Sequence, residues 1–175
     1  MMSLKRDPVV YRRCLEGDFD SVYFVINEGA MAYRGVVSAE HLNDPYMSRQ
    51  EFRSEIAAGV EFWGYEQHDA MGGVMGIQRT QDVVLIRHAY TRTEFQGQGI
   101  GGGLLECLLA KTQCPVLVGT WAALSRSINF YERHGFALVP SQAKDLLLRK
   151  YWQVPDAQIE NSVVLANVTL DSLDY

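Results

Sequence analysis

The sequence predicts one mixed α+β domain. Three observations predict it. Residues 60–91 hold three β-rich runs separated by short turns, which reads as an antiparallel meander. A glycine cluster, Gly97-Gln98-Gly99-Ile100-Gly101-Gly102-Gly103, then passes directly into an apolar pattern at helical spacing. No repeat, linker or low-complexity segment divides the 175 residues, a length that supports one real core.

Taken in order, residues 9–13 read as a short first strand. Met1 to Leu4 are read in part as a cloning remnant and left out of fold reasoning. Asp18 stands where a side-chain cap opens a helix. Phe19, Val22, Tyr23 and Ile26 form its apolar face, and Asn27 to Gly29 close it. Residues 30–46 are irregular, with Gly35, Asn43 and Pro45 as breakers. Ser48 and Glu51 match a capping box. The helix they open runs through Phe52 and Ile56 and ends at Gly59. Residues 60–66 follow as a strand that brings Phe62 and Trp63 to the core. His68-Asp69-Ala70 turns into a strand at 71–80, and Gln81-Asp82 into a strand at 83–91. The latter starts with the apolar run Val83-Val84-Leu85-Ile86.

The helix after the glycines buries Leu104, Leu105, Leu108 and Leu109 and ends near Lys111. Pro115 precedes the strand 116–121, which a helical crossover makes parallel to 83–91. Ser125 caps the next helix, which carries Ile128, Tyr131 and His134 and stops at Gly135. Residues 136–139 read as a strand, and 141–151 as a helix with Leu146, Leu147 and Leu148. Pro155 breaks that helix, and residues 161–170 form a last β-branched strand.

A net charge of −5 argues against a nucleic-acid partner and leaves room for a cationic amine. Cys14, Cys107 and Cys114 show no metal-ligand spacing, so no metal is expected. An odd cysteine count without a signal peptide points to a reduced, cytoplasmic setting. No apolar run reaches the length of a membrane span, so no membrane partner is expected.

The order strand, glycine turn, helix gathers free backbone N–H groups at the positive end of a helix dipole. Such a point suits phosphate or pyrophosphate. Three patterns compete for the glycines. Gly97, Gly99 and Gly102 satisfy G-x-G-x-x-G, but no ribose-binding acid stands in Gly119-Thr120-Trp121-Ala122-Ala123. The nucleoside-triphosphate loop needs a lysine that is absent here. The third pattern is Gln/Arg-x-x-Gly-x-Gly/Ala, met by Gln96, Gly99 and Gly101.

That third pattern resembles the acetyl-CoA loop of the GNAT superfamily of N-acetyltransferases. Phe130-Tyr131-Glu132-Arg133-His134-Gly135-Phe136, some way downstream, is similar to the family's second signature, Phe-Tyr-x-x-x-Gly-Phe. Tyr90 to Gln96 resembles the family's approach to the loop, and the likeness runs over nearly the whole chain. It implies one acetyltransferase domain over residues 1–175. Its sheet would be mostly antiparallel and twisted, with helices on both faces and a splayed parallel strand pair. It implies acetyl-CoA as cofactor, held by Gln96, Gly97, Gln98, Gly99, Ile100, Gly101 and Gly102, with the pantetheine along Ala89, Tyr90 and Thr91. A small-molecule amine would be the acceptor, and a homodimer is a frequent assembly of similar proteins. The region after the first helix would wall the acceptor site, making Tyr33, Arg34, His41 and Tyr46 substrate candidates.

By the same resemblance Tyr131 is the candidate acid for the departing thiolate. The base is less direct. Val83, Leu85 and Arg87 share the face where a base is sought, and none of them is one. His88 lies on the other face by simple alternation, and a bulge would be needed to re-aim it. His88 is the candidate base, with Glu66, Glu94 or a water chain as alternatives. Arg87 stays protonated and is suited to bind an acceptor's carboxylate or one of the chain's own acids. The expected function is direct acetyl transfer in a ternary complex. The alternatives are a non-catalytic acyl-CoA-binding module and, less well matched, a nicotinamide-dinucleotide binder.

Overall fold

The computed structural model describes residues 10–173, so Met1 to Leu4 and Val9 lie outside the described residues. Among the described residues one sheet of seven strands runs β1(Val10–Arg13), β2(Val60–Gln67), β3(Ala70–Thr80), β4(Val83–Thr91), β5(Val116–Trp121), β7(Ser162–Ala166), β6(Ala137–Leu138) in spatial order. Every neighbouring pair is antiparallel except β4 and β5. The helices are α1(Phe19–Ala30), α2(Arg49–Ala57), α3(Ile100–Leu109), α4(Ser125–Arg133), α5(Ser141–Leu147) and α6(Asp156–Glu160).

Alternation along β4 divides the core. Val84 and Ile86 pack with Leu104, Leu105 and Leu108 of α3. Val83 and Leu85 pack with Leu147 of α5 and Ile159 of α6. A third cluster joins Val22, Val25 and Ile26 of α1 and Phe52 of α2 to Phe62, Val74 and Tyr90 of the sheet. Helices therefore cover both faces, as the fold class requires. No helix among the described residues is long and apolar enough to cross a membrane.

Local chemistry sets most boundaries. The capping box forms: Glu51 N–H donates to Ser48 Oγ at 3.1 Å, and Ser48 N–H donates to the Glu51 carboxylate at 3.2 Å. Gly59, at φ 92°, ends the following turn. His68 and Asp69 take left-handed conformations in the β2–β3 turn. Several boundaries differ from the sequence reading. Asp18 does not cap α1 with its side chain. Its carboxylate instead takes both Arg12 Nη groups at 2.8 Å and the Leu15 N–H at 2.7 Å. A two-point charged bond outweighs a cap. α1 continues to Ala30, past Asn27–Gly29, because Gly29 and Ala30 are buried against the sheet. Ile56 is 44% exposed, since α2 presents Phe52 alone to the core. Ser125 is the first helical residue of α4, not its cap.

The C-terminal part departs further. Residues 136–139 shrink to the two-residue β6, although Phe136 and Val139 are buried. The helix expected at 141–151 is α-helical over Ser141–Leu147 and turns π-helical at Leu148–Trp152, with Leu146 exposed. Pro155 starts the short helix α6. The last strand stops at Ala166, because Asn167 turns back onto β5. Its Oδ1 takes Val116 N–H at 2.8 Å, and its own N–H donates to the Val116 carbonyl at 3.1 Å.

Candidate active site

The site begins where β4 and β5 part. Their parallel pairing covers Val84 with Val116, Leu85 with Leu117 and Ile86 with Val118, then stops. β5 goes on pairing with β7 to Trp121, while β4 goes on to Thr91. The backbone of β4 beyond Ile86 thus has its β5-facing edge open.

A bulge lies in β4 at this point. Gly76 stands opposite Arg87 and Val74 opposite Tyr90, so His88 and Ala89 together face Met75. His88 sits at φ 51°, a strained conformation for a residue with a Cβ. The extra residue puts Arg87 and Tyr90 on the same face. Ala89 packs on the α3 side, while Tyr90 joins the α1–α2 cluster. His88 stacks on Phe62 of that cluster at 6.1 Å.

The gap opens into a cavity of about 160 Å³. His88, Arg87, Ala89 and Tyr90 line it from β4, and Gly119, Thr120 and Trp121 from β5. Tyr131 and Ser127 of α4 reach it, as do Tyr33 and Tyr46 from the 31–46 segment and Trp152 from the π turn. Tyr33, Tyr46 and Tyr90 form one aromatic group, with centroids 5.6, 5.7 and 6.0 Å apart. His41 stacks on Trp121 at 5.4 Å. Arg34 turns away to Asp44 at 3.2 Å.

Arg87 is engaged by the chain itself. Its Nη1 donates to Gln78 Oε1 at 2.6 Å and its Nη2 to Glu55 Oε2 at 2.7 Å. The same Glu55 oxygen lies 2.9 Å from His88 Nε2. Burial pushes the Glu55 carboxyl up, but the His88 hydrogen bond and the Arg87 charge outweigh it, and the net direction is down. Sequence reading passed over Glu55. It follows buried Phe52 by three positions on α2, which puts both on one helix face. Glu66 pairs with Arg12 and Glu94 with Arg92, and neither lines the cavity.

Tyr131 is 4% exposed, and its ring meets Phe130 and Phe136 edge-on at 5.0 and 5.6 Å. Burial first, then the neighbouring Tyr33, raises the pKa of its phenol. It therefore stays protonated through neutral pH.

The glycine turn follows β4. Gly97 and Gly99 sit at φ 75° and 80°, positions that favour glycine. Gln96 Nε2 donates to the Thr91 carbonyl at 3.2 Å, and Gln98 Nε2 to the Glu94 carbonyl at 3.1 Å, so both side chains brace the turn. The N–H groups of Ile100, Gly101 and Gly102 precede the first helical bond, which Gly103 makes to the Gly99 carbonyl at 3.0 Å. This geometry fits a pyrophosphate. Thr91 contributes its carbonyl to the turn and does not line the cavity.

Gly103 answers to packing rather than to a ligand. A methyl group there would overlap the Tyr11 hydroxyl, whereas one on Gly101 would meet only Phe130, at 3.5 Å. Gly103→Ala should therefore lose about 1–3 kcal/mol to overpacking, against roughly 1 kcal/mol gained in helix propensity. Gly101→Ala should melt no lower than wild type. Thermal melts of the two variants check this, and equal midpoints would remove the Tyr11 contact from the account.

The fold is shared with known proteins. The family model described as "Acetyltransferase (GNAT) domain" matches residues 27–146. No curated protein matches the sequence. Among solved structures, the chain is similar to PaiA N-acetyltransferase from Thermoplasma acidophilum in complex with coenzyme A. Identity is 16%, coverage is 93% of this chain and 99% of that one, and the TM-score is 0.69. It is similar to the ribosomal-protein-S18-alanine N-acetyltransferase of Escherichia coli at 16% identity, covering 96% and 100%, with TM-score 0.64. A GNAT family acetyltransferase from Elizabethkingia anophelis with acetyl-CoA bound matches at 17% identity, covering 92% and 98%, with TM-score 0.60.

Proposed function

Because the chain belongs to the GNAT acetyltransferase family, we propose that it moves an acetyl group from acetyl-CoA to a primary amine by direct attack in a ternary complex. One observation carries the reading: the cavity beside the opened β4–β5 pair is lined by both a protonated tyrosine and a histidine. Acetyl-CoA supplies the activated acyl carbon as a thioester. The chain supplies the rest.

The N–H groups at the start of α3 hold the pyrophosphate, with Gln96 and Gln98 fixing the turn. The open edge of β4 at Ala89 and Tyr90 takes the pantetheine in sheet-like hydrogen bonds. A backbone N–H of that open edge would supply an oxyanion donor to the bound thioester, a contribution of about 3–4 kcal/mol. His88 accepts the proton that the attacking amine loses. Tyr131 gives its phenolic proton to the departing sulfur, so each proton has a donor and an acceptor in the chain.

The walls support a class of acceptor. Tyr33, Tyr46, Tyr90, Trp121 and Trp152 line the cavity, and among the described residues no carboxylate does. The charge of Arg87 is already met by Glu55. An amine with an apolar or aromatic body suits these walls. A second ammonium on the acceptor would meet ring faces and the neutral polar groups of Thr120, Ser127, Gln158 and Ser162, weaker partners than a carboxylate.

Acetyl-CoA at about 100 times its dissociation constant should add roughly 2.7 kcal/mol to stability, a rise of about 5–10 °C in Tm for a chain of this size. Thiol release should then appear with at least one member of a panel holding tyramine, lysine, spermidine and an alanyl peptide. Stabilisation by NADH without stabilisation by acetyl-CoA would overturn the cofactor assignment. Stabilisation with no thiol release would favour the non-catalytic acyl-CoA-binding module.

A further inference from the structure

We propose that Glu55 is the positioning residue for His88. Its Oε2, 2.9 Å from His88 Nε2, keeps the proton on that nitrogen and leaves Nδ1 as the ring's basic atom. The inference rests on the reading of His88 as the base.

An ionised carboxylate only accepts hydrogen bonds, so the ring nitrogen facing it must carry the hydrogen. Glu55 stays ionised because the His88 hydrogen bond, and then Arg87 Nη2 on the same oxygen at 2.7 Å, offset the cost of burying the charge. The neutral ring then has its hydrogen on Nε2 and its lone pair on Nδ1. Tautomer control of this kind is how an acid oriented behind a histidine supports base catalysis.

The fold holds the pair from both sides. α2 delivers Glu55, with Phe52 of the same helix buried at 1% exposure. The bulge delivers His88 at φ 51°, a conformation that persists only where the surroundings fix it. The ring lies on Phe62 of β2. The titratable and charged groups around it are Glu55 from α2, Arg87 from its own strand, and the tyrosines Tyr33, Tyr46, Tyr90 and Tyr131 that line the same cavity. Glu55 is the only carboxylate among these groups. A purely structural role, a buried counter-ion for Arg87, would involve Arg87 alone and leave the His88 ring without a fixed tautomer.

Two measurements test the proposal. The first needs no substrate. Nitrogen-15 spectra of the histidine rings in the full chain, with His88 assigned by its absence in His88→Gln, should show the Nε2–H tautomer at neutral pH. Glu55→Gln should convert this to a tautomer mixture. An Nδ1–H tautomer in wild type overturns the proposal, whether or not any variant folds.

The second is thiol release with the amine that wild type turns over fastest. Glu55→Gln should lower kcat by about 10–100-fold with KM for acetyl-CoA unchanged. His88→Gln should lower it by about 10²–10⁴-fold, and the double variant should be no slower than His88→Gln alone. Loss of rate in His88→Gln with full kcat in Glu55→Gln overturns the positioning role and keeps the base. Losses that multiply in the double variant also overturn it, since the two groups then act separately. Full kcat in His88→Gln removes the base reading itself, and the positioning role with it.

Discussion

Tyr131→Phe should cut turnover by about 10²–10⁴-fold, the range for removing a general acid, while fold and cofactor binding persist. The variant loses one oxygen. The ring still packs against Phe130 and Phe136. The hydroxyl has no hydrogen bond to another described residue, so its removal strands no buried partner. The usual cost of about 1–3 kcal/mol for an orphaned group therefore does not arise. What the change removes is the proton that burial keeps on the phenol. In the proposed mechanism that proton is shared with sulfur only as the carbon–sulfur bond breaks. The loss should then fall on kcat and kcat/KM together. Thiol-release kinetics on both proteins, beside melts and acetyl-CoA titrations, decide the matter. Wild-type kcat in the variant would take Tyr131 off the catalytic list. A lower Tm with normal turnover per folded molecule would make the hydroxyl structural.

Much of this site is legible in the chain because its parts are local. The capping box is two residues three apart, and it forms as written. The turn before α3 needs positive φ at two positions, and glycine stands at both. The parallel pairing of β4 with β5 follows from the helix between them. The expectations that miss depend on distant partners. Asp18 has the residue type of a cap, but Arg12 on β1 takes its carboxylate. The last strand is β-branched through Val168, yet Asn167 ends it by bonding back to Val116. The bulge at His88 has no glycine or proline to announce it. A histidine holds the left-handed position, and Glu55, 33 residues earlier on α2, holds the histidine. Simple alternation therefore puts His88 on the wrong face. One inserted residue in the register puts it in the cavity.

Gly99→Val should weaken acetyl-CoA binding by about 10²–10⁴-fold. The cause is backbone geometry rather than crowding, because a Cβ at Gly99 would have nothing within 4 Å. At φ 80° a β-branched residue is a true outlier, with a local cost of about 1–3 kcal/mol. Gly99 is also the N-cap of α3, and its carbonyl takes the first helical hydrogen bond from Gly103. Relief of the strain must rotate the peptide that leads into Ile100. The N–H groups at the helix start then no longer converge on one point. Hydrogen bonds to a charged group are worth about 1.5–3 kcal/mol each, so losing two of them costs about 3–6 kcal/mol. That loss is the predicted affinity change. Gly59→Val is the matched control. Gly59 sits at φ 92° with equally open space, but at the end of α2, away from the turn. It should lose similar stability and bind acetyl-CoA as wild type does. Calorimetric titration of acetyl-CoA into both folded variants measures the difference. Equal affinities in Gly99→Val, Gly59→Val and wild type would place the pyrophosphate somewhere other than the start of α3.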